Sequence, residues 1–203
     1  MPDPDPKAVL QRYLQVGRDA LLWKLDGASD YDVRRPLVRT GTNLLGLVKH
    51  LAGVEAGYFG AVFDRPFAEP LPWMDGEEPN TDMWATADES RADIIALYRR
   101  VWAHADATIA ALDLATSGVV AWWPEDRART TLHTILVHVA TETHRHAGHA
   151  DIVRELINGA VGHRPGADNL PDVDDAWWTA HRERLEHTLF PYTTLFRSRK
   201  SVV

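Results

Sequence analysis

The segment TETHRHAGHADIVRE, residues 141–155, carries one carboxylate and three histidines in its first nine positions. An α-helix returns to the same face every three or four residues, so Glu142, His146 and His149 would lie along one stripe. That stripe continues into branched apolar residues on both sides, which is the pattern of a buried face. A buried ionisable group is tolerated when it is paired, hydrogen-bonded or bound to a metal ion. The stripe is therefore a candidate site for metal or acid–base chemistry.

A metal site on Glu142 and His146 needs a further ligand from another helix. The segment GLVKHLAGVEAGYFG, residues 46–60, offers His50 on a stripe that is otherwise rich in glycine. Each helical glycine costs about 1 kcal/mol relative to alanine, so this face indicates a close backbone approach or a space left open. The three side chains could bind a divalent ion and leave positions open for water or a substrate. The glycines of the stripe are Gly46, Gly53, Gly57 and Gly60.

Other interpretations of these side chains stay open at this point. Glu142 and His146 could form an ordinary ion pair between residues one helical turn apart. His138 and His149 lie near the same face, and either could replace an assigned ligand or hydrogen-bond to one. His144 is predicted to face away from the site. The sequence assigns no catalytic residue and no residue that binds an organic cofactor.

Four long helical patterns must position these side chains, at about residues 7–25, 43–63, 86–112 and 131–158. The third begins at a capping box formed by Thr86 and Glu89. The proline- and acid-rich segment 65–84 is long enough to run back along a helix, so the second and third helices could be parallel neighbours. The predicted fold is all-α, a four-helix bundle with a long crossover. A short amphipathic segment, DDAWWTAHRERLEH, adds a C-terminal helix.

Composition narrows the class of protein. The chain has 203 residues, of which 45% are hydrophobic, enough for one domain with a substantial core. Its net charge of -7 argues against a nucleic-acid partner. No stretch approaches the roughly 18 apolar residues of a membrane span, and the N-terminus lacks signal-peptide features, so we expect a cytoplasmic protein with no membrane partner. The sequence contains no cysteine, so any thiol chemistry must use a thiol from outside the chain.

The end of the chain differs from what precedes it. Residues 187–203 contain no acidic residue, and TLFPYTTLFRSRKSVV follows no helical period. This stretch resembles the read-through of a sequencing adaptor more than a native terminus. We therefore predict a domain over residues 1–186 and a tail outside the domain over residues 187–203.

The segments LLGLVKHLAGVE and, about ninety residues later, HVATETHRHAGHADIVRE resemble the DinB-like superfamily of bacterial four-helix bundles. The resemblance covers about residues 8–185, and the superfamily also contains mycothiol-dependent maleylpyruvate isomerase and thiol S-transferases. Many members bind a metal ion through three histidines. Here the middle position is Glu142, as in the mycothiol-dependent isomerase. The resemblance thus implies His50, Glu142 and His146 as ligands of Zn²⁺ or a similar divalent ion such as Ni²⁺ or Fe²⁺, an up-down-down-up helix order, and frequent homodimers.

A bound divalent ion with an open position can lower the pKa of a thiol or polarise a carbonyl. The leading hypothesis is a metal-dependent enzyme that activates a low-molecular-weight thiol of the mycothiol type. The activated thiol would serve for S-transfer to a small electrophile or for isomerisation of that electrophile. One alternative is a metal-dependent hydrolase that uses water in the same position. Another is a non-catalytic stress-response protein that binds a metal or a small molecule. The sequence by itself does not separate these functions.

Overall fold

A computed structural model describes residues 5–74, 76 and 78–188. Over these residues the regular secondary structure is helical apart from one small antiparallel pair of strands, which confirms the predicted all-α fold. The four long helices are α1 (Pro6–Trp23), α3 (Leu44–Phe59), α4 (Arg91–Ala111) and α6 (Leu132–Asn158). The shorter elements are α2 (Asp30–Arg34), β1 (Ser117–Val119), α5 (Glu125–Ala128), β2 (Arg129–Thr131), α7 (Asp175–Thr188) and 3₁₀ turns at Ala61–Phe63, Pro72–Met74 and Thr81–Met83.

The ends of the helices follow from local capping groups, with one departure from the prediction. Helix α6 ends at Gly159, whose φ of 76° is readily adopted by glycine. Helix α4 does not begin at the capping box predicted at Thr86 and Glu89. Ser90 caps it instead by accepting a hydrogen bond from the Asp93 N–H at 3.1 Å. The side chain of Glu89 does accept from the Thr86 N–H at 2.7 Å, but in a turn that precedes the helix.

The order of contacts along the helices gives their directions. Partners advance together along α3 and α4, and along α1 and α6, so each of these pairs is parallel. Partners run in opposite directions along α1 and α4, and along α3 and α6, so these pairs are antiparallel. This is the up-down-down-up order, with the crossover joining α3 to α4. The parallel contacts are Lys49–Glu89, Glu55–Tyr98, Tyr13–His144 and Lys24–Asp151, and the antiparallel ones are Lys7–Leu112, Leu25–Arg91, His50–Glu142 and Tyr58–His138.

The apolar interior of the bundle contains one fully buried ion pair. The guanidinium of Arg18 on α1 donates to the carboxylate of Glu55 on α3, with Nε 3.0 Å from Oε1, and neither side chain is exposed. The hydroxyl of Tyr98 on α4 donates to the same carboxylate at 3.1 Å. Three of the four long helices are therefore joined through one buried carboxylate, on the helix that also carries His50.

The glycine-rich face of α3 admits the crossover segment at Gly46. A Cβ atom there would lie 1.8 Å from the backbone oxygen of Met83, so only glycine allows this approach. Asn43, the N-cap of α3, accepts from the Gly46 N–H at 2.8 Å and donates its amide to the Met83 carbonyl at 3.2 Å. The Thr81–Met83 turn is thereby held against the first turn of α3.

We expect Gly46→Ala and Gly148→Ala to have opposite effects on stability. At Gly46 the added methyl group forces backbone atoms apart, and the free energy of unfolding should fall by about 1–3 kcal/mol. At Gly148, an exposed position in α6 with no atom within 4 Å of the added Cβ, it should rise by up to about 1 kcal/mol. Urea unfolding of both variants tests this, and equal effects would contradict the close approach at Gly46.

The C-terminal helix confirms the predicted amphipathic segment. Among the described residues, those up to Asp168 form one compact unit and those from Asn169 onward form another, which contains α7. The predicted tail from residue 187 lies outside the described residues except for its first two positions, which end α7. Nowhere in the described ranges does a helix combine the length and apolar character needed to cross a membrane.

Candidate functional site

The antiparallel packing of α3 and α6 brings together the three side chains predicted as metal ligands. One ligand atom from each of His50, Glu142 and His146 lies within 4.8 Å of the other two. The Oε1 atom of Glu142 is 2.9 Å from Nε2 of His146 and 3.8 Å from Nε2 of His50. All three side chains are mostly buried, with exposed fractions between 10% and 27%. We refer to these three residues as the triad.

The electrostatics of the triad suit a cation. Burial and the neighbouring His50 lower the pKa of the His146 imidazole, and they outweigh the opposite effect of Glu142. Burial raises the pKa of the Glu142 carboxyl, whereas the charge and the hydrogen bond of His146 lower it. The lowering effects are larger together, so the net shift of the pKa is downward. Near neutral pH, His146 is therefore neutral, with a lone pair on one of its two ring nitrogens, and Glu142 carries a negative charge. Neutral imidazole and ionised carboxylate are the protonation states in which histidine and glutamate bind metals.

One atom of the triad lacks a hydrogen-bond partner. The Nε2 atom of His50 is buried, and no donor or acceptor among the described residues satisfies it. Leaving such an atom unpaired costs about 1–3 kcal/mol, and native proteins rarely do so without a reason. An ion held between Glu142 and the two imidazoles would satisfy Nε2, so the residues present fit a divalent metal.

The orientation of His50 depends on Asp82, a residue that the sequence analysis did not identify. The Nδ1 atom of His50 lies 2.6 Å from Oδ2 of Asp82, so Nδ1 donates to the carboxylate and Nε2 faces Glu142. Asp82 belongs to the Thr81–Met83 turn of the crossover, which Asn43 and Gly46 hold against α3. In the sequence Asp82 is one of several acids in an irregular segment, and no spacing rule distinguishes it.

We expect Asp82→Asn to lower the affinity for Zn²⁺ by about 10–100-fold, because the amide holds the His50 ring less firmly and makes its Nε2 less basic. Titration of Zn²⁺ against a competing chelator measures the change. Asp88→Asn is the matched control, since Asp88 is an exposed acid of the same crossover between α3 and α4. An equal loss in both variants would show a general effect of charge, with no specific role for Asp82.

Three other histidines of α6 that the sequence analysis considered differ in their position relative to the triad. His149 approaches it from the side, with its Nδ1 3.3 Å from Nδ1 of His146. The ring of His138 lies one helical turn before Glu142 and packs 4.7 Å from the Tyr58 ring. His144 places Nε2 2.9 Å from the backbone oxygen of Tyr13 on α1. His138 and His149 therefore flank the three converging ligand atoms, while His144 points toward α1.

The triad opens into a cavity of about 390 Å³, which we call the triad cavity. Gly53 and Gly57 of α3 form part of its wall, and a Cβ on Gly57 would lie 3.4 Å from the Trp122 ring. Both consequences predicted for the glycine face therefore occur, since Gly46 admits a backbone, and Gly53 and Gly57 border open space. The other lining residues are His50, Val54, Tyr58, Met74, Asp82, Trp122, His138 and Glu142.

A comparison with known protein families supplies the next finding. The family model described as mycothiol S-transferase matches residues 9–159, which include nearly all of the four bundle helices and the whole triad. The chain belongs to the mycothiol S-transferase family. This family is part of the DinB-like superfamily, so the resemblance noted in the sequence is confirmed. Comparisons with curated proteins and with solved structures gave no match.

Proposed function

We propose that this member of the mycothiol S-transferase family is a metal-dependent enzyme that joins a low-molecular-weight thiol of the mycothiol type to a small electrophile. His50, Glu142 and His146 would hold the ion, for which Zn²⁺ is the first choice and Ni²⁺ and Fe²⁺ are alternatives. The observation that supports this most directly is the convergence of two imidazoles and one carboxylate on a buried, unsatisfied Nε2 atom. The family to which the chain belongs favours S-transfer over hydrolysis or isomerisation.

When bound, a divalent ion lowers the pKa of a thiol and so increases the fraction of thiolate at neutral pH. The chain has no cysteine, so the sulfur nucleophile must come from the cosubstrate. In the transfer, a sulfur electron pair forms a bond to the electrophilic carbon. A leaving group then departs with its bonding pair, or, with an activated alkene, the proton lost by the thiol ends on the adjacent carbon.

We assign to His138 the role of accepting the thiol proton. Its imidazole lines the triad cavity together with Glu142, yet its nitrogens are not among the converging ligand atoms of the triad. Its ring is held between Tyr58 and Trp123, at 4.7 Å and 5.2 Å between ring centres. Histidine is the most common general base, and a positioned base contributes about 10²–10⁴-fold to a rate.

The test is the consumption of 1-chloro-2,4-dinitrobenzene by purified protein whose metal content is known from elemental analysis. Mycothiol, bacillithiol, glutathione and no thiol are compared, before and after removal of metal by a chelator. We expect about one divalent ion per chain, turnover that requires both thiol and metal, and a kcat for His138→Gln that is lower by at least about 100-fold.

The other functions would give different results in the same experiment. Hydrolysis of ester or amide substrates that depends on metal but not on thiol would identify a hydrolase. One bound ion per chain with no turnover of any substrate would identify a binding protein. Protein without stoichiometric metal, even after reconstitution with Zn²⁺, would overturn the proposed metal site.

A further inference from the structure

A second cavity lies beside the triad cavity and shares part of its wall. It has a volume of about 630 Å³, and we call it the apolar cavity. The residues common to both cavities are Gly53, Gly57, Met74 and Trp122. Volumes of about 300–1,000 Å³ are typical of sites for small molecules. The shared wall places the apolar cavity next to the side chains that would carry out the reaction.

The shared wall consists of groups that leave little fixed bulk between the two cavities. Two of the four residues are glycines, which contribute no side chain. The thioether of Met74 lies where a Cβ of Gly53 would be, 2.5 Å from Sδ, and Met74 is 49% exposed. Trp122 is 53% exposed and donates its indole N–H to the Tyr58 hydroxyl at 3.3 Å. A ligand in the apolar cavity can therefore lie against Trp122 with its reactive end toward the triad.

The described lining of the apolar cavity disfavours an anionic ligand. Its lining comes from α3 and from the segment after it, including Phe67, Pro70 and Leu71. Among its described lining residues only Glu69 is ionisable, and Arg100 engages the Glu69 carboxylate at 2.6 Å and 2.8 Å. Among the described residues that line either cavity there is no lysine and no arginine. An anionic ligand would lose its hydration there without gaining a cationic partner, which is unfavourable.

We propose that the apolar cavity binds the uncharged, apolar part of the electrophile while the reactive carbon faces the triad cavity. The substrates would then be neutral electrophiles with an aryl or alkyl group, and carboxylic acids would be poor substrates. The identification of the ligand as an electrophile rests on the proposed S-transfer function. Binding of a ligand in the apolar cavity can be measured without turnover.

The first arm of the test measures binding of unreactive probes by isothermal titration calorimetry. N-phenylsuccinimide and N-(4-carbamoylphenyl)succinimide should bind, and N-(4-carboxyphenyl)succinimide should bind at least about tenfold more weakly than its matched carboxamide. Ala61→Leu, which adds bulk at an exposed position of the cavity wall, should weaken binding of N-phenylsuccinimide by about tenfold. Ala103→Leu, at an exposed position of α4 that lines neither cavity, is the control and should bind as the parent does.

The second arm measures thiol addition to the corresponding N-aryl maleimides as kcat/KM. The carboxamide should again exceed the carboxylate by about tenfold, and Ala61→Leu should lower kcat/KM for the neutral substrate while leaving the bound metal unchanged. Melting temperatures of both variants confirm that they fold.

The two arms separate failure of this inference from failure of the proposed function. Equal or tighter binding of the carboxylate probe, or unchanged binding by Ala61→Leu, would overturn the assignment of the cavity whether or not the protein transfers thiols. Selective binding that Ala61→Leu weakens, without thiol-dependent turnover of any maleimide, would support the cavity and reject the S-transfer function.

Discussion

Replacing His50 by alanine is expected to lower the affinity for Zn²⁺ by more than about 100-fold, a larger loss than that from a residue that only orients a ligand. His50 lies on α3 and joins Glu142 and His146 only through the packing of α3 against α6. Its loss leaves two ligands from a single helix, which hold a tetrahedral ion poorly. The substitution removes the orphaned Nε2 atom together with the hydrogen bond from Nδ1 to Asp82, so the stability of the variant without metal is measured alongside its affinity.

The substitution Glu142→Gln separates a metal ligand from a simple ion pair. The Oε1 atom lies 2.9 Å from Nε2 of His146, which by itself is the geometry of a pair one helical turn apart. If that were its whole role, the neutral amide would cost little stability and would leave Zn²⁺ affinity unchanged. The carboxylate also lies 3.8 Å from Nε2 of His50. We therefore expect Glu142→Gln to lower the affinity for Zn²⁺, as His50→Ala does.

Competition with one chelator, applied to all variants, measures these affinities on a common scale. His144→Ala is the control on the same helix, since its ring contacts the Tyr13 carbonyl on α1 and points away from the triad. Its affinity for Zn²⁺ should match that of the parent. Unchanged binding in His50→Ala and Glu142→Gln, with a loss confined to substitutions at His138 or His149, would show that the ion lies elsewhere on this face.

Replacing Glu55 by alanine is expected to lower the free energy of unfolding by about 3–5 kcal/mol. Arg18 would keep its charge inside the bundle without the hydrogen bonds that it donates to the carboxylate, and the Tyr98 hydroxyl would lose its acceptor. Burial of both side chains is complete, so water cannot replace these contacts without opening the bundle. The Asp106 carboxylate, 2.9 Å from Arg18, compensates only in part because it is 38% exposed.

Urea unfolding of three variants tests this explanation. Glu69→Gln breaks an exposed pair with Arg100 and should change stability far less than Glu55→Ala does. The double variant Arg18→Met, Glu55→Met should recover most of the loss, because it removes the unpaired charge along with its partner. A double variant as unstable as Glu55→Ala would show that the space filled by these side chains, rather than the unpaired charge, accounts for the loss.

Several features of this protein follow from the sequence alone because they depend on local rules. The period of apolar residues predicts the four long helices, and Gly159 ends α6 because its left-handed φ of 76° suits glycine. The placement of Glu142 and His146 on one face follows from the pitch of a single helix. The all-α fold was predictable for the same reason, whereas the DinB-like superfamily was predicted from the resemblance of two short segments to a known family.

The start of α4 shows how a tertiary contact changes a local prediction. Thr86 and Glu89 have the spacing of a capping box, and so do Ser90 and Asp93 four residues later. Glu89 also binds the ammonium group of Lys49 on α3 at 2.8 Å. Glu89 still accepts from the Thr86 N–H, but the helix begins one turn later, where Ser90 accepts from the Asp93 N–H. The sequence pattern by itself does not distinguish the two starts, and the contact of Glu89 with α3 is visible only in the folded structure.

The candidate site itself required the tertiary structure, because its parts come from segments far apart in the chain. The meeting of His50 with Glu142 depends on the antiparallel packing of α3 and α6. Asp82 reaches His50 because Gly46 lets the crossover lie against α3, and no periodicity extends into that irregular segment. The walls of both cavities are completed by Met74 and Trp122 from loops. Local chemistry determined which residues could bind and react, and the long-range contacts decided which of them meet.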